Sequence, residues 1–363
     1  MKKILFILHL PPPVHGAAMV GGFIRDSKII NSTFTTKFID LGTSASIQEI
    51  GKNGVKKWMR FLKIFKETIT SLLVFRPKLV YMTLNSHGNG FYKDCLVVLI
   101  LKIFRTNIIY HFHNKGVADY QDKWFDHLLY LLVLKNEKVI LTSPYLYYDI
   151  KKYVKEKNVY YCPNGIPIID DSPSLIKKDN DKVRLLFLSN LLKFKGLFVL
   201  VDACKILKTR KVVFQSVVVG GEGDISKEEF ENIIKQNNIS DVLFYVGRKY
   251  NEEKAAEFKN ADIFVHPTLD DCAPIVLLEA MQFSLPMVST FEGGIPDIIQ
   301  EGKSGFLVQK NDATSLADKI EILINDELLR EEMGAYANKR YATHHTLAVF
   351  EENLVSILKA PFN

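Results

Sequence analysis

The chain has 363 residues, 47% hydrophobic and 24% charged, a balance that excludes a disordered or fibrous protein and leaves room for two globular domains. Its four cysteines, Cys95, Cys162, Cys204 and Cys272, stand far apart with no CxxC pair, so neither a disulfide framework nor a zinc site is expected, which fits a reducing cytoplasm. The formal charge of +6 hides an asymmetry: residues 1–168 hold 24 Lys and Arg against 11 Asp and Glu, whereas residues 169–363 hold 23 against 30.

Met1-Lys2-Lys3 ahead of apolar Ile4 to Leu10 looks like a secretory leader, but the run is short, contains His9 and breaks at Pro11-Pro12-Pro13 without a small-x-small site. It is expected to be the first buried strand. The loop from Pro11 to Ala18 then opens a helix, and Gly16 there lets a phosphate or sugar meet bare backbone. Further apolar strands are predicted at 36–41, 78–84, 107–112, 137–142 and 158–161, with helical periods between them. One of those stretches carries Lys52, Lys56, Lys57, Arg60, Lys63 and Lys66 beside Val55, Trp58, Met59, Leu62, Phe65, Ile69 and Leu72 at helical spacing. A basic amphipathic helix of this kind suits an anionic membrane surface, and four such cations would contribute roughly 4 kcal/mol, enough for reversible residence. The plainer reading packs the same apolar face into the domain. Leu96 to Phe104 is too short to span a bilayer and contains Lys102.

Two polar strand ends follow. Asn85-Ser86-His87-Gly88-Asn89-Gly90 is a candidate acceptor loop, and in His111-Phe112-His113-Asn114 strand alternation puts His111 and His113 on one side. Pro163 to Asp181 loses all periodicity and is taken as a linker. A second series of strands is predicted at 183–188, 212–219, 241–246, 262–265, 286–289 and 305–308, and helices at 313–324, 327–340 and 345–358 close the chain. Strand and helix alternating at this spacing predict an α/β fold with a parallel sheet in each half. The domains expected are 1–168 with the last helix, 345–363, returning to it, and 169–344.

The block from Ala261 to Leu307 puts each unusual residue at a strand end: Ile263-Phe264-Val265 stops at His266-Pro267, and Met287-Val288-Ser289 runs to Gly293-Gly294. Ligands of open α/β sheets bind at such ends. A helix is predicted from about Pro274 to Phe283, with Asp271 as its cap and Pro274 in its first turn. The free amides near Ile275 and Val276 then face an anion, a phosphate for preference. Glu279 lies eight positions on from Asp271, about 12 Å along a helix axis. Cys272 is expected to be a small buried filler.

Asp271, the Glu279-Ala280-Met281 run, Pro286 to Thr290 and Glu292-Gly293-Gly294-Ile295-Pro296 together resemble the signature of the retaining family 4 glycosyltransferases. That resemblance implies the GT-B fold, two Rossmann-like domains facing across a cleft. It implies that Asp271, where the family usually has Glu, holds donor-sugar hydroxyls, that Glu279 holds the ribose, and that amides near Ile275 hold the diphosphate. In Ser189-Asn190-Leu191-Leu192-Lys193-Phe194-Lys195-Gly196 the family's Lys-Gly is matched by Lys195-Gly196, whereas Asn190 stands where an arginine is usual, with Lys193 as a stand-in. A lysine before a helix start adds a point charge to the diphosphate site.

The loops Gly220-Gly221-Glu222-Gly223 and Gly247-Arg248 line the nucleotide side in that family, and His113 corresponds to its donor-side histidine. Gly16 matches one half of a usual Gly-Gly, with Ala17 at the second position, and Asn164-Gly165-Ile166 resembles the interdomain turn. No GxGxxG is present, which disfavours a dehydrogenase. The expected activity is metal-independent hexosyl or N-acetylhexosaminyl transfer, with no cofactor beyond a nucleotide-diphosphate sugar, UDP favoured over GDP. The expected acceptor is a saccharide, lipid-linked, in surface polysaccharide assembly at the cytoplasmic membrane face, with no nucleic-acid partner. An epimerase of the same fold and a partner protein without turnover stay open as alternatives.

Overall fold

The computed structural model describes residues 1–12, 15–42, 55–169 and 182–360. Lys52, the side chains of Lys56 and Lys57, Pro13, Val14 and most of the expected linker lie outside the described residues. The chain divides into two compact units, Met1–Gly165 with Leu347–Asn363, and Ile166–Thr346.

In the first unit the elements run β1 (Lys3–Leu8), α1 (Gly16–Asp26), α2 (Lys28–Thr33), β2 (Thr35–Asp40), α3 (Val55–Thr70), β3 (Leu79–Thr83), α4 (Gly88–Ile103), β4 (Ile108–Phe112), α5 (Val117–Tyr120), α6 (Trp124–Leu134), β5 (Lys138–Leu141), α7 (Tyr147–Ile150) and β6 (Val159–Tyr161). The strands form one sheet in the order β2-β1-β3-β4-β5-β6, every pair parallel. β1, β3 and β4 are buried along nearly their whole length, which is why they read as unbroken apolar runs rather than alternating ones.

The second unit runs β7 (Val183–Leu188), α8 (Leu197–Thr209), β8 (Phe214–Val219), α9 (Lys227–Gln236), β9 (Leu243–Tyr245), α10 (Asn251–Asn260), β10 (Ile263–His266), α11 (Ile275–Gln282), β11 (Met287–Thr290), α12 (Ile295–Ile298), β12 (Gly305–Val308), α13 (Ala313–Asn325) and α14 (Glu327–His344). Its sheet is again parallel throughout, in the order β12-β11-β10-β7-β8-β9. One core of Leu, Val, Ile and Phe side chains from β7, β8, α8, α9 and α13 fills one face of it. The last helix, α15 (Leu347–Lys359), belongs to the first unit, where it packs on α2, and the Lys2 ammonium donates to the Leu358 carbonyl.

Each sheet reverses its winding direction once, between β1 and β3 in the first unit and between β7 and β10 in the second. At such a point the loops leave two adjacent strands in opposite directions and open a crevice at the strands' carboxyl ends.

Candidate functional site

At the second unit's reversal point, β7 leads into Lys195 and β10 into Asp271. The lysine loop is seated by Gly196, whose φ of +79° suits glycine and whose Cβ, if present, would fall 1.8 Å from the Pro267 carbonyl oxygen. The Leu269 amide donates to the Phe194 carbonyl at 2.8 Å, and the Thr268 hydroxyl donates to the same oxygen at 3.2 Å, tying the two loops together. Lys195 Nζ then reaches Asp271 Oδ2 at 2.7 Å, and His266 Nε2 lies 3.0 Å from that same oxygen.

The protonation states follow. Burial alone would raise the Asp271 carboxyl, but the His266 hydrogen bond and the Lys195 charge outweigh it and lower its pKa to about 2. Burial lowers His266, against the pull of Asp271, so the imidazole is neutral at pH 7. A neutral ring facing a carboxylate must donate, which fixes the Nε2–H tautomer and leaves Nδ1 a bare lone pair without a hydrogen-bond partner. On the far side, Gly293 at φ +52° passes so close that a Cβ there would meet the Asp271 carbonyl oxygen at 2.2 Å, and the Gly294 amide donates to the Cys272 carbonyl at 2.6 Å. The Gly293-Gly294 pair thus clamps the Asp271 loop.

Asp271 does not cap α11. Pro274 is the N-cap itself, one residue before the helix, and no side chain caps the first turn. The carboxylate that the spacing offered as a cap is drawn off by two stronger partners, a cation and an imidazole. Ile275 and Val276 are therefore left with first-turn amides lacking intrahelical acceptors, on half-buried residues. Because Asp271 stands four residues before the helix, the straight-helix spacing of about 12 Å to Glu279 does not apply. Glu279 sits mid-helix and is gripped through both oxygens by Lys254 of α10, each at 2.6 Å.

Asn190 is engaged elsewhere. Its Oδ1 accepts the Gly221 amide at 3.1 Å and holds the glycine-rich loop against the end of β7. Gly221 in turn leaves room for the Arg248 guanidinium, which a Cβ would meet at 2.1 Å, while the Gly220 amide donates to the Gly247 carbonyl at 2.9 Å. Asn190, Gly221, Gly247 and Arg248 are thus brought together, with an exposed guanidinium beside the position where the resemblance led us to expect arginine. Lys193, the stand-in suggested by sequence, is exposed on the neighbouring turn.

The first unit gathers a different set at its own reversal point. His9 follows β1 and Asn85 follows β3, and Asn85 Nδ2 lies 3.4 Å from His9 Nε2. Asn85 is fixed from behind by buried Asp94 of α4, whose Oδ2 accepts both the Asn85 backbone amide at 2.9 Å and its side-chain amide at 2.8 Å. The Asn85 oxygen accepts from Asn114 at 3.4 Å. His113 lies against His111 with ring centres 4.1 Å apart, and His111 Nδ1 meets the Tyr81 hydroxyl at 2.6 Å. His113 Nε2 is shut off from solvent and has no hydrogen-bond partner. Burial, reinforced by neighbouring imidazoles, lowers His9 to about 4 and His113 to about 3, whereas burial raises Asp94 to about 7. His15 caps α1 through Nδ1, accepting from the Ala18 amide at 3.4 Å, and leaves Gly16 exposed at the helix start.

Residues 169–340 match the family model described as "Glycosyl transferases group 1". The matched segment runs over nearly the whole of the second unit. The putative colanic acid biosynthesis glycosyltransferase WcaL of Escherichia coli is 29% identical over 206 residues, 54% of this chain and 50% of its own length. The chain spans about half the length of the curated relatives it matches. Among solved structures, the sucrose-phosphate synthase of Thermosynechococcus elongatus superposes with a TM-score of 0.78 at 17% identity, over 99% of this chain and 98% of its own. HepE of Anabaena, solved with UDP and glucose, gives 0.72 at 15% identity, over 99% and 100%. These likenesses show the GT-B fold.

Sequence reasoning missed three groups that decide the charge of the two sites. Lys254 was given no role, His266 looked like a strand terminator, and Asp94 in the other unit was passed over. Asp94 had a signal: a carboxylate opening onto the apolar run Cys95 to Leu101 needs a partner once that helix is buried. The other two had none, because their partners lie 25 residues away or belong to the loop itself.

Proposed function

We propose that the protein is a retaining glycosyltransferase of family 4 that moves a hexosyl or N-acetylhexosaminyl unit from a UDP-sugar to a hydroxyl of a lipid-linked saccharide in surface polysaccharide assembly, at an anionic membrane surface and without a metal ion. The observation that carries this is the Lys195–Asp271–His266 triad beside the uncapped start of α11. In this reading the diphosphate binds the amides of Ile275 and Val276 and draws the Lys195 ammonium off Asp271, freeing that carboxylate for sugar hydroxyls. Neutral His266 keeps the freed carboxylate ionised and oriented. Arg248 supplies the second cation that Asn190 lacks, and Glu279, turned by Lys254, takes the ribose hydroxyls. As the bond from the anomeric carbon to the diphosphate breaks, charge grows on the leaving oxygen where amides and Lys195 are already placed. The acceptor hydroxyl bonds the same face of that carbon and its proton passes to the leaving phosphate.

The polysaccharide context is supported by WcaL and the choice of UDP by HepE, both proteins to which this chain is similar. In the first unit, His113 and Gly16 offer a neutral setting suited to sugar hydroxyls.

The test is nucleotide release from a panel of UDP- and GDP-sugars, with and without membrane lipid extract and with EDTA. Acceptor-dependent release of UDP that EDTA leaves unchanged, with the anomeric configuration kept, supports the reading. Release without acceptor favours the epimerase, and binding without release favours a partner protein.

A further inference from the structure

The protein's only two tryptophans, Trp58 and Trp124, both stand in solvent, 62% and 75% exposed. Tryptophan is on average strongly buried, so two outward-facing rings on one domain call for a cause. They lie on α3 and α6. By the right-handed crossover rule, α3, α4 and α6 cover one face of the first sheet, and α4 packs against both of the others.

The buried stripe of α3 is not the one its periodicity suggested. Phe61, Ile64 and Thr68 point inward, whereas Trp58, Met59 and Leu62 point out. The outer surface continues through Leu99 and Ile103 of α4 and Phe125 and Leu128 of α6, all exposed. The opposite face of the same sheet, covered by α1, α2 and α15, presents no exposed large hydrophobic residue among the described ones. Singly exposed apolar residues need no explanation, but a layer of three neighbouring helices that shares them does.

Charge narrows the occupant. Lys63, Lys66, Arg105, Lys123 and Lys135 are exposed on and beside the layer. Among the acids there, Asp94 and Asp126 are buried, Glu67 lies 3.8 Å from Lys63, Glu137 pairs with Lys102 at 2.5 Å, and Asp122, exposed beside Trp124, pairs with Lys152 at 3.2 Å. A second copy meeting this face on a two-fold axis would set cations against cations. Anionic headgroups meet the cations while indoles settle at the headgroup level they favour.

We propose that the α3–α4–α6 layer as a whole, and not α3 alone, is the docking face for an anionic lipid bilayer, seating Trp58 and Trp124 together. This rests on the membrane part of the proposed function and on none of its chemistry.

The full chain is mixed with vesicles of phosphatidylcholine alone or with phosphatidylglycerol, each with and without brominated lipid, and tryptophan emission and flotation are followed at low and high salt. With Trp58→Phe only Trp124 reports, and with Trp124→Phe only Trp58. The expected result is a blue shift and bromine quenching in both variants on phosphatidylglycerol vesicles, with Leu62→Ser/Leu128→Ser lowering flotation at least tenfold. Far-ultraviolet circular dichroism and the urea midpoint are measured on every variant, so a folding failure of the first unit shows directly. Quenching of Trp58 alone overturns the three-helix face while the membrane reading survives. No quenching and no flotation overturns both. Equal binding to phosphatidylcholine alone overturns the charge argument, and concentration-dependent sedimentation that hides either indole without lipid makes the face a protein interface. Lost sugar transfer with intact docking touches only the chemistry.

Discussion

The two units solve the same topological problem with opposite chemistry. Both are six-stranded parallel sheets that reverse winding once, and both gather polar side chains where they do so. The second unit places full charges there, with Lys195 on Asp271, Lys254 on Glu279 and an exposed Arg248. The first unit places neutral groups: His9, His111 and His113 are all held below their usual range by burial, and Asn85 leans on a carboxyl raised to about 7. A charged crevice suits a diphosphate, which brings its own charge, and a neutral one suits hydroxyls, which do not.

The comparison breaks most visibly at Asp94. Its folded pKa of about 7 lies above the ordinary 3.8, so the folded state keeps a proton that the unfolded chain loses. Its contribution is therefore complete at low pH and is lost as pH rises through about 7. Asp94→Asn is expected to match the parent near pH 4 and to exceed it at pH 8 by on the order of 4 kcal/mol in urea denaturation. His9 and His113 act with the opposite sign, costing stability as pH falls from about 6.5 toward 4 and 3. The variant's stability should thus climb more steeply with pH than the parent's. A parent more stable than the variant at pH 8 would mean that the fold does not raise the Asp94 carboxyl and that the first unit's cluster carries its charge well below pH 7.

Lys195→Ala tests the charged half. Turnover is expected to fall about a hundredfold or more, with the secondary structure seen by circular dichroism kept. Unchanged nucleotide release would remove the triad from the site. Arg248→Ala should weaken UDP binding about tenfold in titration calorimetry, the worth of one charge-assisted contact. No change would leave Asn190 uncompensated. The smallest effect is expected at His15→Ala, where a long cap bond of 3.4 Å contributes less than about 1 kcal/mol to the urea midpoint.

The elements were legible because apolar periodicity acts locally: each predicted strand coincides with an observed one to within a few residues, and the closing helices stand where they were expected. Asp271 was legible as a special residue but not in its role, since a carboxylate before a helix reads as a cap until its competitors are known. Those competitors, Lys195 from the loop after β7 and His266 at the end of β10, converge only when β7 and β10 become neighbours in the sheet. α3 teaches the same lesson. Its apolar positions could be counted, but which of them turned inward depended on how the helix rolled onto its sheet.

The sequence by itself determined the parallel α/β architecture and the strand ends at which polar residues gather, because burial pattern and glycine placement are properties of short segments. Only the tertiary structure decided which charges neutralise one another, that Arg248 stands beside Asn190, and that both tryptophans face out from one layer. Ion pairing and exposure depend on distances between residues far apart in the chain, and those distances are set by strand order and helix packing.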